Sequence, residues 1–503
     1  MKRKILLFPL LIAVIFPILF LNKQAGLNVL LLDILLLSLL VFSGRPNSKN
    51  RLTWITIAGI VLSGFMVLMH GSDIALAVNI VSLIVLSGIL AAPALNVLLN
   101  GFVVSFFSVF VAPVNYFSDL SKAPGTNNGI RKGFKYAAFL LIPLLVLLIF
   151  ISIYSNASPY FNSLTGGFLR SLDDFFKWFF KLVSPDVFAI GVGGFFVGLI
   201  LFFGKLPSIF VLPGESGSNV LMRSKTWYSG SMVGLKTEAR IAQLLFMLLN
   251  IALAIMNILD LWHVWINFKW NGGFLKQFVH EGTWLLIFSI LISIALVLWY
   301  LRGNLNFYSN NRWLIRLIKL WLIQNAFLAL SVAVRNFWYT HYFNLAYKRI
   351  WVFAFLILVL VGLATVFIKV QNKKSLRYLL IQNSLYAYII LVIMSFFNWD
   401  LIIARFNLNR SEKAFYHTDF MVGLDSNTLP LLIIDENRIQ RISTAQKSIF
   451  HYYDNYLALE QYNTRLLERR KLYMEGYPLL NWLEWNVADY ITYKRLRNIS
   501  HIP

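Results

Sequence analysis

An all-α, polytopic membrane fold of about eleven transmembrane helices, followed by a small C-terminal helical domain, is the architecture the sequence predicts. Three observations predict it. Composition comes first: of 503 residues, 58% are hydrophobic and 13% charged, with a mean hydropathy of +0.67. A soluble domain carries about 25% charge and roughly 45–50% apolar residues. Second, apolar runs of the roughly 20 residues needed to cross a bilayer recur from end to end. Third, the basic residues alternate in density from one connecting segment to the next.

Lys2, Arg3 and Lys4 precede the first run, Ile5–Leu21, as they would in a signal peptide. Asn22, Lys23 and Gln24 follow it in place of a small-x-small cleavage site, and Leu27–Phe42 comes at once, so a retained anchor is expected. Thr53–Met69 and Ile74–Ala92 make the next two spans. Ala94–Phe117 is apolar enough to cross, but Pro93 and Pro113 bracket it and Asn96 and Asn100 interrupt it. An interfacial or re-entrant helix on the cytoplasmic side is expected there. Tyr136–Tyr154 is a span. In Phe168–Val183 the aromatic and aliphatic residues follow helical spacing opposite Arg170, Asp173, Asp174, Lys177 and Lys181, the pattern of a helix lying on the outer leaflet. Val187–Phe203 carries Gly191, Gly194 and Gly198, a spacing that lets two helices approach closely. Ile241–Leu259, Trp284–Leu301, Trp313–Val334, Ile350–Ile368 and Tyr378–Phe397 complete the spans.

The 45 Lys and Arg against 22 Asp and Glu give a net charge of +23. On one set of segments, which includes the amino terminus, Arg45, Lys122, Lys205, Arg312 and Lys369, there are 23 basic residues; the opposite set holds nine. The amino terminus is therefore read as cytoplasmic, and an odd number of spans places the tail outside. Basic residues divided among short loops, with no aromatic stripe, argue against nucleic acid as a partner. Membrane lipids are the expected contacts. The absence of cysteine excludes disulfides, thiolate metal sites and a cysteine nucleophile.

Residues 1–398 are read as the membrane domain and 399–503 as a helical domain of nearly neutral charge, a candidate surface for a protein partner. There Ser443 is read as the cap of a helix running to about Tyr473, with Pro478 breaking the pattern.

Polar groups inside spans are costly in hydrocarbon unless paired, which makes them informative. Asn250, Asn257 and Asp260 share a broad face of one span, and His263 continues it. Asn325 and Asn383 sit inside two others, and Asp33 stands alone in the second span. His280, Glu281, Arg335, Tyr339, Arg349, Arg405 and Asn407 gather at the span ends assigned to the outer boundary. One reading is a polar pocket, with Asp260 or Glu281 paired to Arg335, Arg349 or Arg405. The other is that these cations simply extend to lipid headgroups. His280-Glu281 lacks a second histidine at helical spacing, no cofactor fingerprint is present, and Gly-x-Ser-x-Gly and phosphate-loop motifs are absent.

Four stretches between Leu249 and Arg410 carry a resemblance. They are Phe278-Val279-His280-Glu281-Gly282, Arg335 to Tyr339, Arg349, and Asn398-Trp399-Asp400 through Ala404-Arg405-Phe406-Asn407. Together they resemble a family of bacterial multipass proteins called domain of unknown function 4173, with His280 where that family has arginine and Leu345-Ala346-Tyr347 in place of a Gly-Leu-Thr-like turn. The resemblance implies a bacterial inner-membrane protein and no reaction. The leading expectation is an envelope sensor, scaffold or assembly partner without enzymatic chemistry. The alternatives are a transporter or lipid-translocating protein lined by Asn250, Asn257, Asn325 and Asn383, and an enzyme on a lipid-linked substrate with Glu281 or Asp260 as base and the three arginines on phosphate.

Overall fold

A computed structural model describes residues 2–45, 50–122, 184–205, 212–223, 232–268, 274–301, 303–449 and 459–498. The expected span Tyr136–Tyr154 and the expected in-plane helix Phe168–Val183 lie outside the described residues. The fold is all-α. Among the described residues eight helices are long and apolar enough to cross a membrane, and three shorter apolar helices accompany them. The chain forms two compact units, Met1–Glu215 with Leu480–Val487, and Ser216–Leu479 with Ala488–Pro503.

The first unit contains α1 (Phe8–Phe20), α2 (Leu27–Ser43), α3 (Arg51–His70), α4 (Asp73–Ala91), α5 (Leu98–Ser121) and α6 (Pro185–Phe203). In lipid the solvent is as apolar as the side chains, so close packing and internal hydrogen bonds hold helices together. The sequence supplies both. A Cβ on Gly194 would lie 2.5 Å from the Phe16 side chain, and one on Gly198 2.7 Å from Pro9 Cα, so the glycine face of α6 packs on α1. Asp33 finds a partner in Asn79, whose Nδ2 donates to its Oδ2 at 2.7 Å and also to Ile60 O at 3.2 Å, tying α2, α3 and α4. Gly64 leaves room for that carboxylate, since a Cβ there would sit 2.2 Å from it.

The position of α5 follows from its contacts. Its first half meets the last turns of α4, with Gly101 against Gly88 and Ser105 Oγ 2.7 Å from Ser87 Oγ. Its second half meets the C-terminal end of α6 and the chain before α1: Asn115 Nδ2 donates to Phe203 O at 2.9 Å and the Tyr116 hydroxyl to Leu6 O at 3.2 Å. All of these partners lie at one end of the bundle, so α5, although 24 residues long and apolar enough to cross, runs across that end. Pro113 sits inside the helix without ending it.

Leu480–Val487 docks at the other end. Trp485 O accepts from Leu27 N at 3.0 Å, Glu484 Oε2 accepts from Gln24 N at 3.0 Å, and Asn486 packs on Gly71. Gly71 takes a left-handed conformation (φ +63°) that closes α3, a position where glycine has no Cβ penalty.

The second unit contains α7 (Met232–Asp260), α8 (Phe274–Tyr300), α9 (Arg312–Phe343), α10 (Tyr347–Asn372), α11 (Leu376–Ser395) and α12 (Trp399–Asn409). Its core runs through Phe246, Ile290, Leu314, Ile318, Val332 and Leu363. In the tail, Ser443 is not a cap. Helix α13 begins at Glu436, with Asp435 Oδ1 accepting from Arg438 N at 2.7 Å, and ends at Ile449. The sequence signal missed was Asp435, eight residues earlier and better placed to satisfy a free amide. Helix α14 (Leu459–Gly476) and α15 (Val487–Asn498) follow, with Pro478 inside a 3-10 turn, Tyr477–Leu479, between them.

Candidate functional site

One face of α7 repeats Phe246, Asn250, Leu253, Asn257, Asp260 and, beyond its end, Val264, all of them buried. These positions alternate four and three apart, the spacing of a helical seam. The seam faces α9, which runs parallel to α7. Asn250 Nδ2 donates to Leu317 O at 3.0 Å, and seven residues on, Asn257 Nδ2 donates to Gln324 O at 3.2 Å. Gln324 Nε2 returns a bond to Asn250 Oδ1 at 2.7 Å.

At the end of this ladder stands an ion pair. Arg335 Nη2 donates to Asp260 Oδ1, and the two side chains are only 5% and 4% exposed. Directly after Asp260 the helix widens into a π-helical segment, Leu261–Ile266, whose closing bond runs from Asn267 N to Trp262 O at 2.9 Å. That widening turns Val264 inward and places Trp265 on Ser331, with Nε1 to Oγ at 3.0 Å, and over the Phe327 ring at 5.5 Å. Trp338 Nε1 donates to Val264 O at 2.9 Å and stacks on Phe268. Aromatic groups thus join the π-helical segment to α9.

A second cluster holds the turn between α9 and α10. Arg349 donates to the carbonyls of Phe343, at 2.7 Å, and Asn344, and its guanidinium lies 4.3 Å from the centre of the Tyr339 ring. Asn336 Nδ2 donates to Arg349 O at 3.0 Å. Asn344 adopts φ +63°, and its side chain donates to Phe415 O at 2.9 Å. Asn407 brackets Leu345, accepting from its N–H at 2.7 Å and donating to its carbonyl at 2.9 Å. Two residues on, the Tyr347 hydroxyl donates to Asp400, whose Oδ1 also accepts from Asp425 N at 3.1 Å. Asp425 is pushed up to about 6, chiefly because protein surrounds much of its carboxyl group, with Asp400 and Asp489 adding repulsion.

The structure therefore joins Asp260 with Arg335, and Tyr339 with Arg349, and among the described residues no ring of arginines surrounds one carboxylate. Arg349 is committed to carbonyls and an aromatic face. Arg405 is exposed on α12, and His263 is exposed on the π-helical segment. Asn325 donates to Trp321 O of its own helix at 2.8 Å, while its neighbour Gln324 makes the bonds between helices. Asn383 accepts from Thr365 Oγ1 at 3.0 Å, joining α11 to α10. His280 and Glu281 fall within α8, and their side chains lie outside the described residues. Among the described residues no group of three or more His, Asp or Glu is arranged to hold a metal ion.

Gln324, Asn336, Asn344 and Arg410 escaped the sequence reading, whereas Asp400 was read at the end of the last span without its partner Tyr347. Arg410 donates to His341 at both Nδ1 (3.1 Å) and the carbonyl (3.0 Å). The available signal for Gln324 was its place between Asn250 and Asn257 in a parallel register. That register is set by which helices neighbour each other, a tertiary property.

A family profile described as Domain of unknown function (DUF4153) matches residues 6–434. That match corrects the resemblance to domain of unknown function 4173, a different family. The short arginine and asparagine motifs that carried it mark the ends of helices, where many multipass proteins place such residues, so they do not discriminate between families. No curated protein and no solved structure matches the chain.

Proposed function

The chain belongs to the DUF4153 family, and from that premise we propose that this multipass helical protein is a scaffold or assembly partner in a bacterial inner membrane, its C-terminal helices being the surface that a protein partner contacts. One observation carries the reading. The buried polar groups described in the second unit are used in holding helices and turns together, Asp260 with Arg335 and Arg349 with two carbonyls, while large apolar side chains stay exposed on the tail, Leu472 at 69% and Leu479 at 85%. Exposed leucines outside the spanning helices are the groups a partner would cover.

The proposed orientation puts the amino terminus in the cytoplasm. The end of the first unit crossed by α5 carries Lys4, Arg45, Arg51, Lys122 and Lys205, as the excess of basic residues on cytoplasmic loops requires. Leu480–Val487 then lies at the opposite, extracytoplasmic end.

The experiment is crosslinking in native membranes followed by purification of the full chain, comparing wild type with a Leu472→Asp/Leu479→Asp variant. Loss of one or more crosslinked proteins at unchanged chain abundance is expected. An identical crosslinked set in both overturns the reading.

A further inference from the structure

The end of the first unit crossed by α5 contains a cavity of about 850 Å³, and its lining has a definite chemical character. Three cations reach it from three separate parts of the chain: Arg45 after α2, Lys122 after α5 and Lys205 after α6. Asn115 and Ser118 add polar groups, and Leu6, Phe202 and Phe203 form an apolar wall. Arg45 is anchored rather than free to extend into water: its Nη1 donates to Leu201 O at 2.6 Å. Among the described lining residues Asp119 is the one acid, 3.8 Å from Lys122, against the three cations, an excess of two positive charges. Simple extension of cations to headgroups explains scattered lysines at helix ends. It does not explain three cations converging on one concavity with an apolar wall.

We propose that this cavity binds a phosphate group, in the form carried by an anionic phospholipid of the adjacent leaflet or by a soluble phosphate. Arg45, fixed by its backbone bond, meets the phosphate oxygens through its remaining N–H groups. Lys122 and Lys205 supply charge without fixed geometry. Phe202, Phe203 and Leu6 contact whatever apolar part the ligand has, and α5 forms one side of the cavity by lying across the bundle. Nothing in the scaffold reading requires this site, and the two stand or fall separately.

The test uses the purified full chain in nanodiscs. Lys122→Gln/Lys205→Gln changes two exposed side chains, and Arg312→Gln/Arg316→Gln removes the same charge from exposed positions on α9. Native mass spectrometry from mixed phosphatidylglycerol and phosphatidylcholine bilayers counts retained anionic lipid. Calorimetry with inorganic phosphate in pure phosphatidylcholine nanodiscs tests the soluble ligand. Lipid retention weakened about tenfold in the Lys122/Lys205 variant alone assigns the site to a phospholipid. A phosphate-binding heat lost in that variant alone assigns it to a soluble phosphate. If neither signal differs from wild type, or if the Arg312/Arg316 variant loses as much, the proposal is overturned. Arg45→Lys, which keeps the charge and alters the geometry, should also weaken binding; unaltered binding there would remove the role given to the guanidinium.

Discussion

Asp260 and Arg335 show how one pair of residues constrains a membrane protein. Neither charge is stable alone in so buried a position, and removing one partner leaves the other uncompensated, at a cost of about 3–5 kcal/mol. Asp260→Ala and Arg335→Ala should therefore each lower the thermal stability of the detergent-solubilised chain sharply. Asp260→Leu combined with Arg335→Met should recover most of that loss, because two apolar side chains need no partner. A double variant as unstable as the sum of the single ones would mean the two groups act independently. Asp425 offers a second residue-scale test, outside the spanning helices. Its carboxyl titrates near 6 in the folded chain against about 4 unfolded. The folded state thus binds the extra proton between those values, so this residue's contribution is full below pH 4 and is lost as pH rises through 6. Asp425→Asn should flatten the stability profile between pH 4 and 6. A profile unchanged by Asp425→Asn would show that other groups set it.

Packing between elements depends on residues that contribute almost nothing as side chains. A Cβ on Gly88 would fall 1.7 Å from Gly101 O, a backbone atom that cannot turn aside. Gly88→Ala should separate α4 from α5 and destabilise the chain by about 3 kcal/mol, at the upper end of overpacking effects. Gly193 and Gly362 have nothing within 4 Å of the same position. There alanine should be neutral, or more stable by about 0.5–1 kcal/mol through helix propensity. Thermal melts of the three variants in one detergent decide the matter, and equal effects would defeat the packing argument. The elements themselves were largely legible in the sequence, since twenty apolar residues in a row can do little but cross or lie on a membrane. The partners of the polar groups were less so. Asp33 looked isolated because Asn79 is 46 residues away, and Asn325 drew attention that belonged to Gln324. Sequence spacing ranks residues along one helix, whereas the choice of partner depends on which helices become neighbours.

At the largest scale, α5 distinguishes the two ends of the first unit. Its contacts with both Gly88 and Phe203 keep it at one end, so the first unit has two unlike ends. One carries Arg45, Lys122 and Lys205. The other carries Gln24 and Gly71 with Glu484 and Asn486 packed on them. A chain without cysteine makes this directly testable, because any introduced thiol is the sole reactive one. Gln24→Cys and Trp482→Cys occupy exposed positions at the second end, and Lys205→Cys an exposed position at the first. With the amino terminus in the cytoplasm, an impermeant maleimide should label the first two in intact spheroplasts and Lys205→Cys only after lysis. Labelling of Lys205→Cys alone would invert the orientation while leaving the fold intact. Labelling Gln24→Cys but not Trp482→Cys in intact cells would be the graver result. Those two residues share one end, so they can be separated only if Leu480–Val487 does not dock where Glu484 meets Gln24.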